Sequence, residues 1–320
     1  MPKPRELRVG SLFEEVENVV QIALAEAGAH WVADADEEGY GTMQSCLNPV
    51  TASLPEPEEY VRLAAANGFS AVDHGATFWA DWVKKTSLDH VRGFCAAQRC
   101  SVGHGGMPVN FREGEDAFRT DMKTFPGVCA VNKALGVRGM ATWIAPATTT
   151  DVAEFRAMHV TRLREVARVL AAHGLRLGLE FVGPKTSRQS GNPFIYDMPG
   201  MLDLCAEINP DVCGLLLDSY HWYTSHATTD DIARLAPEQV VHVHINDAYP
   251  GPIDELLDLK RLLPGEGVID LNAFLEALGR ISYDGPVAVE TFDDTLRAVG
   301  PEEAARRAGK AMAAVIAGFQ

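Results

Sequence analysis

Two runs decide how this chain folds: Cys213-Gly214-Leu215-Leu216-Leu217-Asp218 and Val240-Val241-His242-Val243-His244-Ile245-Asn246. Each is apolar along most of its length rather than at alternate positions, and each closes on a residue with chemistry to offer. Strands buried on both faces read this way, which means a parallel sheet under helices. Outward from these two runs the same unit recurs: an apolar run, a polar loop, and an amphipathic helix that ends at Gly or Asn. The runs are 41–46, 71–74, 101–104, 139–143, 176–181, 213–218, 240–246 and 286–291. The helices fall at 57–66, 88–98, 117–135, 152–173, 198–208, 229–235, 271–280 and 301–316. Eight consecutive β-α units predict a closed (β/α)8 TIM barrel in preference to an open doubly wound sheet. No Gly-x-Gly-x-x-Gly follows the first run, which argues further against a dinucleotide fold.

Helix punctuation agrees. Asn67-Gly68, Gly136 and His173-Gly174 are predicted C-caps, since Gly enters the left-handed conformation without strain. Asp151 precedes a helix with a glutamate, Glu154, three residues on, and reads as an N-cap. Residues 1–40 stand outside the repeat. Within them, 12–31 carries Val16, Val19, Val20, Ala23, Leu24 and Ala27 at helical spacing. The expected division is an N-terminal helical extension, 1–40, and a catalytic barrel, 41–320. The extension is expected to cap the barrel bottom or to pack on another subunit, and a homo-oligomer is expected.

Composition narrows the function. Of 320 residues 47% are hydrophobic, enough for a large core, and 28 Lys+Arg against 44 Asp+Glu leave a net charge of −16. Such a surface repels phosphate backbones, so nucleic acid is not an expected partner. The six cysteines form no Cys-x-x-Cys pair and lie in apolar segments, as reduced core residues of a cytoplasmic protein would. No secretory signal or membrane span is read.

The carboxyl ends of the strands form the active face of such a barrel. Four successive runs put Glu180, Asp218, His244 and Glu290 there. Any one of them alone reads as a solvated strand end. Four at one height, each behind apolar residues, would repel unless a cation joined them. Carboxylates with one imidazole and no thiolate suit one divalent ion, with Mn2+ the first expectation and Mg2+, Co2+ or Zn2+ the alternatives.

Glu180, the Asp218-x-x-His221 step, the His242-x-His244-x-x-Asp247 strand, the Gly265-Glu266-Gly267-Val268-Ile269-Asp270 segment and Glu290, taken as an ordered set, resemble the sugar phosphate isomerase/epimerase superfamily, the xylose isomerase-like TIM barrels. The resemblance covers roughly residues 41–316 and is strongest in the second half. It implies that Glu180, Asp218, His244 and Glu290 bind the metal, and that His221 reaches the substrate or supports a ligand. Endonuclease IV-like members expect an Asp-x-His pair before Gly265; here 258–264 holds no histidine, so DNA repair is rejected. The chemistry expected is a metal-dependent isomerase or epimerase acting through an enediolate on a sugar, keto-sugar or cyclitol, with Glu180 and Glu290 moving the proton. A lyase shares the first step. It could be an inosose-type dehydratase or the catalytic subunit of a C-glycoside deglycosylase with a small second subunit.

Other residues are candidates for substrate contact. His74 and His104 end their runs on the expected active face. Trp143, Phe181, Trp222 and Phe78-Trp79 are candidates for an apolar wall. Lys185 and Arg188 could hold an anion, and Arg261 lies in the long loop after the seventh run, a candidate lid. His242 is placed on the opposite side of its strand from His244, as a packed histidine.

Overall fold

The computed structural model describes residues 43–319, so the 1–40 extension lies outside the described residues. Eight strands close a parallel barrel. They are β1 (Gln44–Leu47), β2 (Ala71–Gly75), β3 (Ser101–Gly106), β4 (Gly139–Trp143), β5 (Arg176–Glu180), β6 (Cys213–Asp218), β7 (Val240–Ile245) and β8 (Pro286–Val289). Each pairs with its sequence neighbours, and β1 pairs with both β2 and β8 to complete the ring. The helices are α1 (Pro57–Ala66), α2 (Ala76–Lys85), α3 (Leu88–Gln98), α4 (Glu115–Ala134), α5 (Val152–Ala172), α6 (Met198–Ile208), α7 (Ser219–Thr224), α8 (Thr229–Ala233), α9 (Leu271–Arg280), α10 (Asp294–Ala298) and α11 (Pro301–Phe319).

The boundaries follow local chemistry. Ser87 caps α3 by accepting from the backbone N–H of His90, Asp197 caps α6 through Gly200, and Asp270 caps α9 through Ala273. Asp151 caps α5 as expected, accepting from Ala153 and Glu154. Gly68, Gly136 and Gly174 all take positive φ after their helices. Helix α9 shows why the layer holds: its Leu271, Phe274, Leu275 and Leu278 are buried at helical spacing, each worth roughly 1.5–3 kcal/mol of transfer free energy.

Three helices that follow strands at the active face were not predicted: α2, α7 and the short α10 after β8. Helix α2 begins directly after β2 on Gly75, which has no side chain to cap it. Helix α7 begins directly after β6 and is capped by Asp218 itself, whose carboxylate accepts from the N–H groups of Tyr220 and His221.

Two β-bulges shape the barrel interior. The register slips by one residue on β7 between Val240 and His242, and on β3 between Val102 and Gly105. A bulge lets two successive side chains face the same way. On β7, Val241 and His242 both turn inward. Val241 fills space left by Gly139, Gly178 and Gly214, where an added Cβ would meet its methyl carbons at 2.6, 3.5 and 3.0 Å. The bulged strands lie opposite each other in the ring, and His104 and His242 stack across it with ring centroids 4.2 Å apart. All six cysteines are buried and unpaired. Among the described residues no helix is long and apolar enough to cross a membrane.

Candidate metal centre at the carboxyl ends of the strands

Glu180 ends β5, Asp218 ends β6, His244 lies one residue before the end of β7, and Glu290 follows β8. The barrel brings all four together, buried, with one donor atom from each within 4.8 Å of the rest. The Nδ1 of His244 lies 3.3 Å from Glu290 Oε2, 3.5 Å from Glu180 Oε1 and 3.9 Å from Asp218 Oδ2. Atoms sharing one ion at about 2.0–2.2 Å keep similar mutual distances. Glu180 Oε1 and His244 Nδ1 are buried without a hydrogen-bond partner, a costly arrangement that a shared cation would relieve. The donor set therefore fits a divalent ion.

The electrostatics agree. Burial pushes the Glu180 carboxyl above its usual range, and the nearby Glu290 charge adds to that push. Burial would raise Asp218 and Glu290 too, but Arg261 and the histidines beside Asp218, and His244 and Arg261 beside Glu290, outweigh it and hold both low. Burial opposes protonation of His244, but the facing glutamates raise its pKa well above the imidazole range.

Arg261 was expected at the substrate. It is instead 1% exposed and bonded to two of the ligand carboxylates. Its Nη1 donates to Asp218 Oδ2 at 2.9 Å and Glu290 Oε2 at 3.2 Å; its Nη2 donates to Asp258 at 2.8 Å and lies 3.2 Å from His221 Nε2. His221, in the first turn of α7, is buried between this guanidinium and the N–H of Gly183.

Several positions need correction. His242 does not sit opposite His244: residues two apart on a strand share a face, and both rings lie inside the barrel, 5.1 Å apart. His104 is not at the rim, because β3 runs on to Gly106; it lies a layer deeper, beside a cavity of about 190 Å³ at the amino-terminal end of the barrel. His74 turns outward onto Phe78, centroids 3.7 Å apart, because its neighbour Asp73 points inward. Lys185 pairs with Asp254 at 2.6 Å, and Arg188 stacks on Tyr196 while donating to Gly183 O. Phe181, Trp79 and Trp222 are buried, and Phe78 is half-buried; of the aromatics expected to form a wall only Trp143 is exposed.

Other residues of the centre carried no recognised signal. Asn48 Nδ2 lies 3.3 Å from His244 Nε2. Asn246 Nδ2 donates to Asp218 Oδ2 at 2.8 Å and to the Glu290 carbonyl at 3.1 Å, tying two ligand strands together. Beneath the cluster, Asp73 Oδ2 accepts from His242 Nε2 at 2.7 Å and Cys46 Sγ donates to Asp73 Oδ1 at 3.1 Å.

Asp247 explains the Gly265-Glu266-Gly267 motif. Its carboxylate accepts from the N–H groups of Ala248, Gly265, Gly267 and Ile269, and so ties both ends of the 248–264 loop to one side chain. Gly265 has φ +82°, and a Cβ at 267 would lie 2.2 Å from Ala248 O. Gly267→Ala is expected to cost about 1–3 kcal/mol, read as a lower denaturant midpoint at unchanged slope.

A closed parallel barrel with three carboxylates and an imidazole converging at its carboxyl end defines the class: a TIM barrel with a candidate metal centre. The chain belongs to the xylose isomerase-like TIM barrel family, whose model matches residues 61–315. It is similar to the inosose isomerase of Bacillus licheniformis, 27% identical over 208 residues, covering 64% of this chain and 72% of that one. It is also similar to the ketose 3-epimerase of Arthrobacter globiformis, 29% identical over 157 residues, covering 49% and 47%. Among solved structures, a xylose isomerase domain protein from Alicyclobacillus acidocaldarius superposes with TM-score 0.80 at 31% identity, covering 86% of this chain and 99% of that one. The zinc-bound IOLI protein superposes with TM-score 0.71 at 24% identity, covering 87% and 99%.

Proposed function

We propose that this protein is a divalent-metal-dependent isomerase or epimerase acting through an enediolate on a sugar, keto-sugar or cyclitol. The observation that carries this reading is the buried Glu180, Asp218, His244 and Glu290 cluster with its unpartnered Glu180 Oε1 and His244 Nδ1. A bound divalent ion would supply Lewis acidity towards the adjacent carbonyl and hydroxyl oxygens of the substrate. Asp218 and Glu290 are oriented by Arg261, and Asn48 meets the far side of the His244 ring. Among the described residues no hydrogen-bond donor engages the Glu180 carboxylate, so one oxygen can serve the ion while the other takes the proton from carbon. Glu290 enters from a strand not adjacent to β5 and returns a proton from the other side. Arg261 also balances one of the three carboxylate charges, which suits an uncharged substrate. The inosose isomerases and the ketose 3-epimerase among the relatives are consistent with this chemistry.

A lyase is the second reading. It is favoured by the similarity to the 3-dehydroshikimate dehydratase of Pseudomonas aeruginosa, 32% identical over 138 residues but covering only 42% of this chain and 21% of that one. The decisive experiment is metal analysis of the purified protein followed by incubation with inosose, D-fructose and 3-dehydroshikimate in D2O. An epimerase or isomerase incorporates deuterium without loss of water; a dehydratase releases water. Prior removal of metal by a chelator is expected to abolish either reaction, and Mn2+ or Zn2+ to restore it. Full turnover by the metal-free protein overturns the proposal.

A further inference from the structure

Trp143 stands beside Glu180, its register partner on the neighbouring strand. Two residues earlier, Ala141 and Gly178 share a face, a Cβ on Gly178 lying 3.0 Å from that of Ala141, and the face is the inner one, since the same Cβ would meet the inward-turned Val241 at 3.4 Å. Side chains two apart share a face, so Trp143 is on the same inner face as Glu180. Yet it is 48% exposed, which puts its indole at the mouth of the candidate site.

One face of that indole is covered. The guanidinium carbon of Arg112 lies 4.2 Å from the Trp143 ring centroid and 4.3 Å from that of Phe111, so the cation is held against two aromatic rings. Arg112 Nη2 also donates to Thr142 Oγ1 at 3.0 Å and to the backbone carbonyl of Trp143. The loop carrying Arg112 is pinned in turn. Phe111 is fully buried, Arg162 donates to its carbonyl at 2.8 Å, and the N–H of Asn110 donates to Asp121 at 2.8 Å. A cation against an aromatic face is attractive, and the two hydrogen bonds fix where it sits. The exposed remainder of the indole is thus held in one orientation before anything binds.

We propose that Arg112 is a positioning residue that holds Trp143 as a fixed platform for the C–H face of a six-membered ring, so that the site favours ring ketones such as keto-cyclitols over ketoses that react in the open-chain keto form. This rests on the reading of the site as one for a polyhydroxylated ketone. A ring offers a contiguous C–H face to a flat indole. An open chain must first freeze several torsions, and a loose indole must be ordered at the moment of binding, both at an entropic cost. Arg112 removes the second cost in advance.

The test compares wild type, Arg112→Met, Arg112→Lys, Trp143→Ala and the Arg112→Met/Trp143→Ala double variant. Acrylamide quenching of tryptophan emission in the protein without substrate reads the clamp directly. Arg112→Met is expected to increase quenching, a change absent in the Trp143→Ala background, with Arg112→Lys intermediate. With inosose, Arg112→Met is expected to raise KM roughly tenfold while kcat stays within about twofold; D-fructose turnover is expected to be unaffected. The double variant is expected to be no worse than Trp143→Ala alone. Unchanged quenching, additive losses, or equal losses for both ketones overturn the proposal. If wild type turns over neither ketone, the reading of the site as one for a polyhydroxylated ketone fails, and the substrate preference with it. The quenching comparison still decides whether Arg112 holds Trp143.

Discussion

Glu180→Gln is expected to slow exchange of the substrate's α-proton with solvent by about 10³-fold or more, within the range that general-base catalysis commands. The argument is geometric. Glu180 Oε1 is buried, faces the interior of the ligand cluster and carries no hydrogen bond, whereas Glu290 Oε2 is engaged by Arg261. Gln keeps the shape and removes the basic oxygen's charge. No hydrogen bond to that oxygen is lost, so the melting temperature is expected to stay within a few degrees of wild type. Metal content measured on the same sample separates a lost base from a lost ligand: a variant that keeps its metal and loses exchange has lost the base. Glu290→Gln is the companion. It also weakens the anchor of Arg261, so it is expected to lose both exchange and part of the metal affinity. Exchange at wild-type rates in both variants would refute the roles given to these carboxylates.

The largest effect on stability is expected from Asp73→Ala. The Asp73–His242 pair is buried at 2.7 Å in the barrel interior, and removing one partner of a buried pair typically costs about 3–5 kcal/mol. At about 2–4 °C per kcal/mol, the melting temperature should fall by roughly 10 °C. The double substitution Asp73→Leu/His242→Leu is expected to recover much of the loss, because neither polar group is then left stranded. A melting temperature within a degree or two of wild type in Asp73→Ala would mean the pair contributes nothing. Asp73 also gives the fold a pH dependence. Burial would raise its pKa, but His242 outweighs that and holds it at about 2, against 3.8 for the free group. A depressed carboxylate stabilises the fold above its unfolded pKa. The contribution, about 2 kcal/mol, is therefore present above roughly pH 5 and lost as the pH falls from about 4 towards 2. Denaturation midpoints across that window should show a slope that Asp73→Asn lacks.

What was legible in the sequence depended on whether its cause was local. Helices 57–66, 88–98, 198–208 and 271–280 matched residue for residue, because Pro57, Ser87, Asp197 and Asp270 start them with side chains next to the helix they begin. Helix α2 carries no such signal, so its buried Trp79 was placed among the aromatics expected to form a wall at the substrate. The four strand-end donors were legible because each closes an apolar run. Their partners were not. Arg261 reaches Asp218 across 43 residues, and Asn48 meets His244 across 196; nothing local marks such contacts. His242 was misplaced against the plain alternation of strand side chains, which puts residues two apart on one face; His104 was misplaced for a less local reason. Where β3 continues past His104, and where a bulge adds a residue, is settled by neighbouring strands, and one residue of register decides which way a side chain points.

The four N–H groups gathered by Asp247 have a practical meaning for redesign. They fasten the 248–264 segment at both of its ends, so what lies between behaves as a cassette clipped into a socket. Residues 249–253 are expected to tolerate exchange for loops of other lengths and chemistries, provided that Asp247, the two glycines, the Asp258–Arg261 pair and the 254–257 stretch held by Lys185, Thr186 and Tyr220 stay. New substrate preferences can then be grafted above the four donors without disturbing the barrel that aims them.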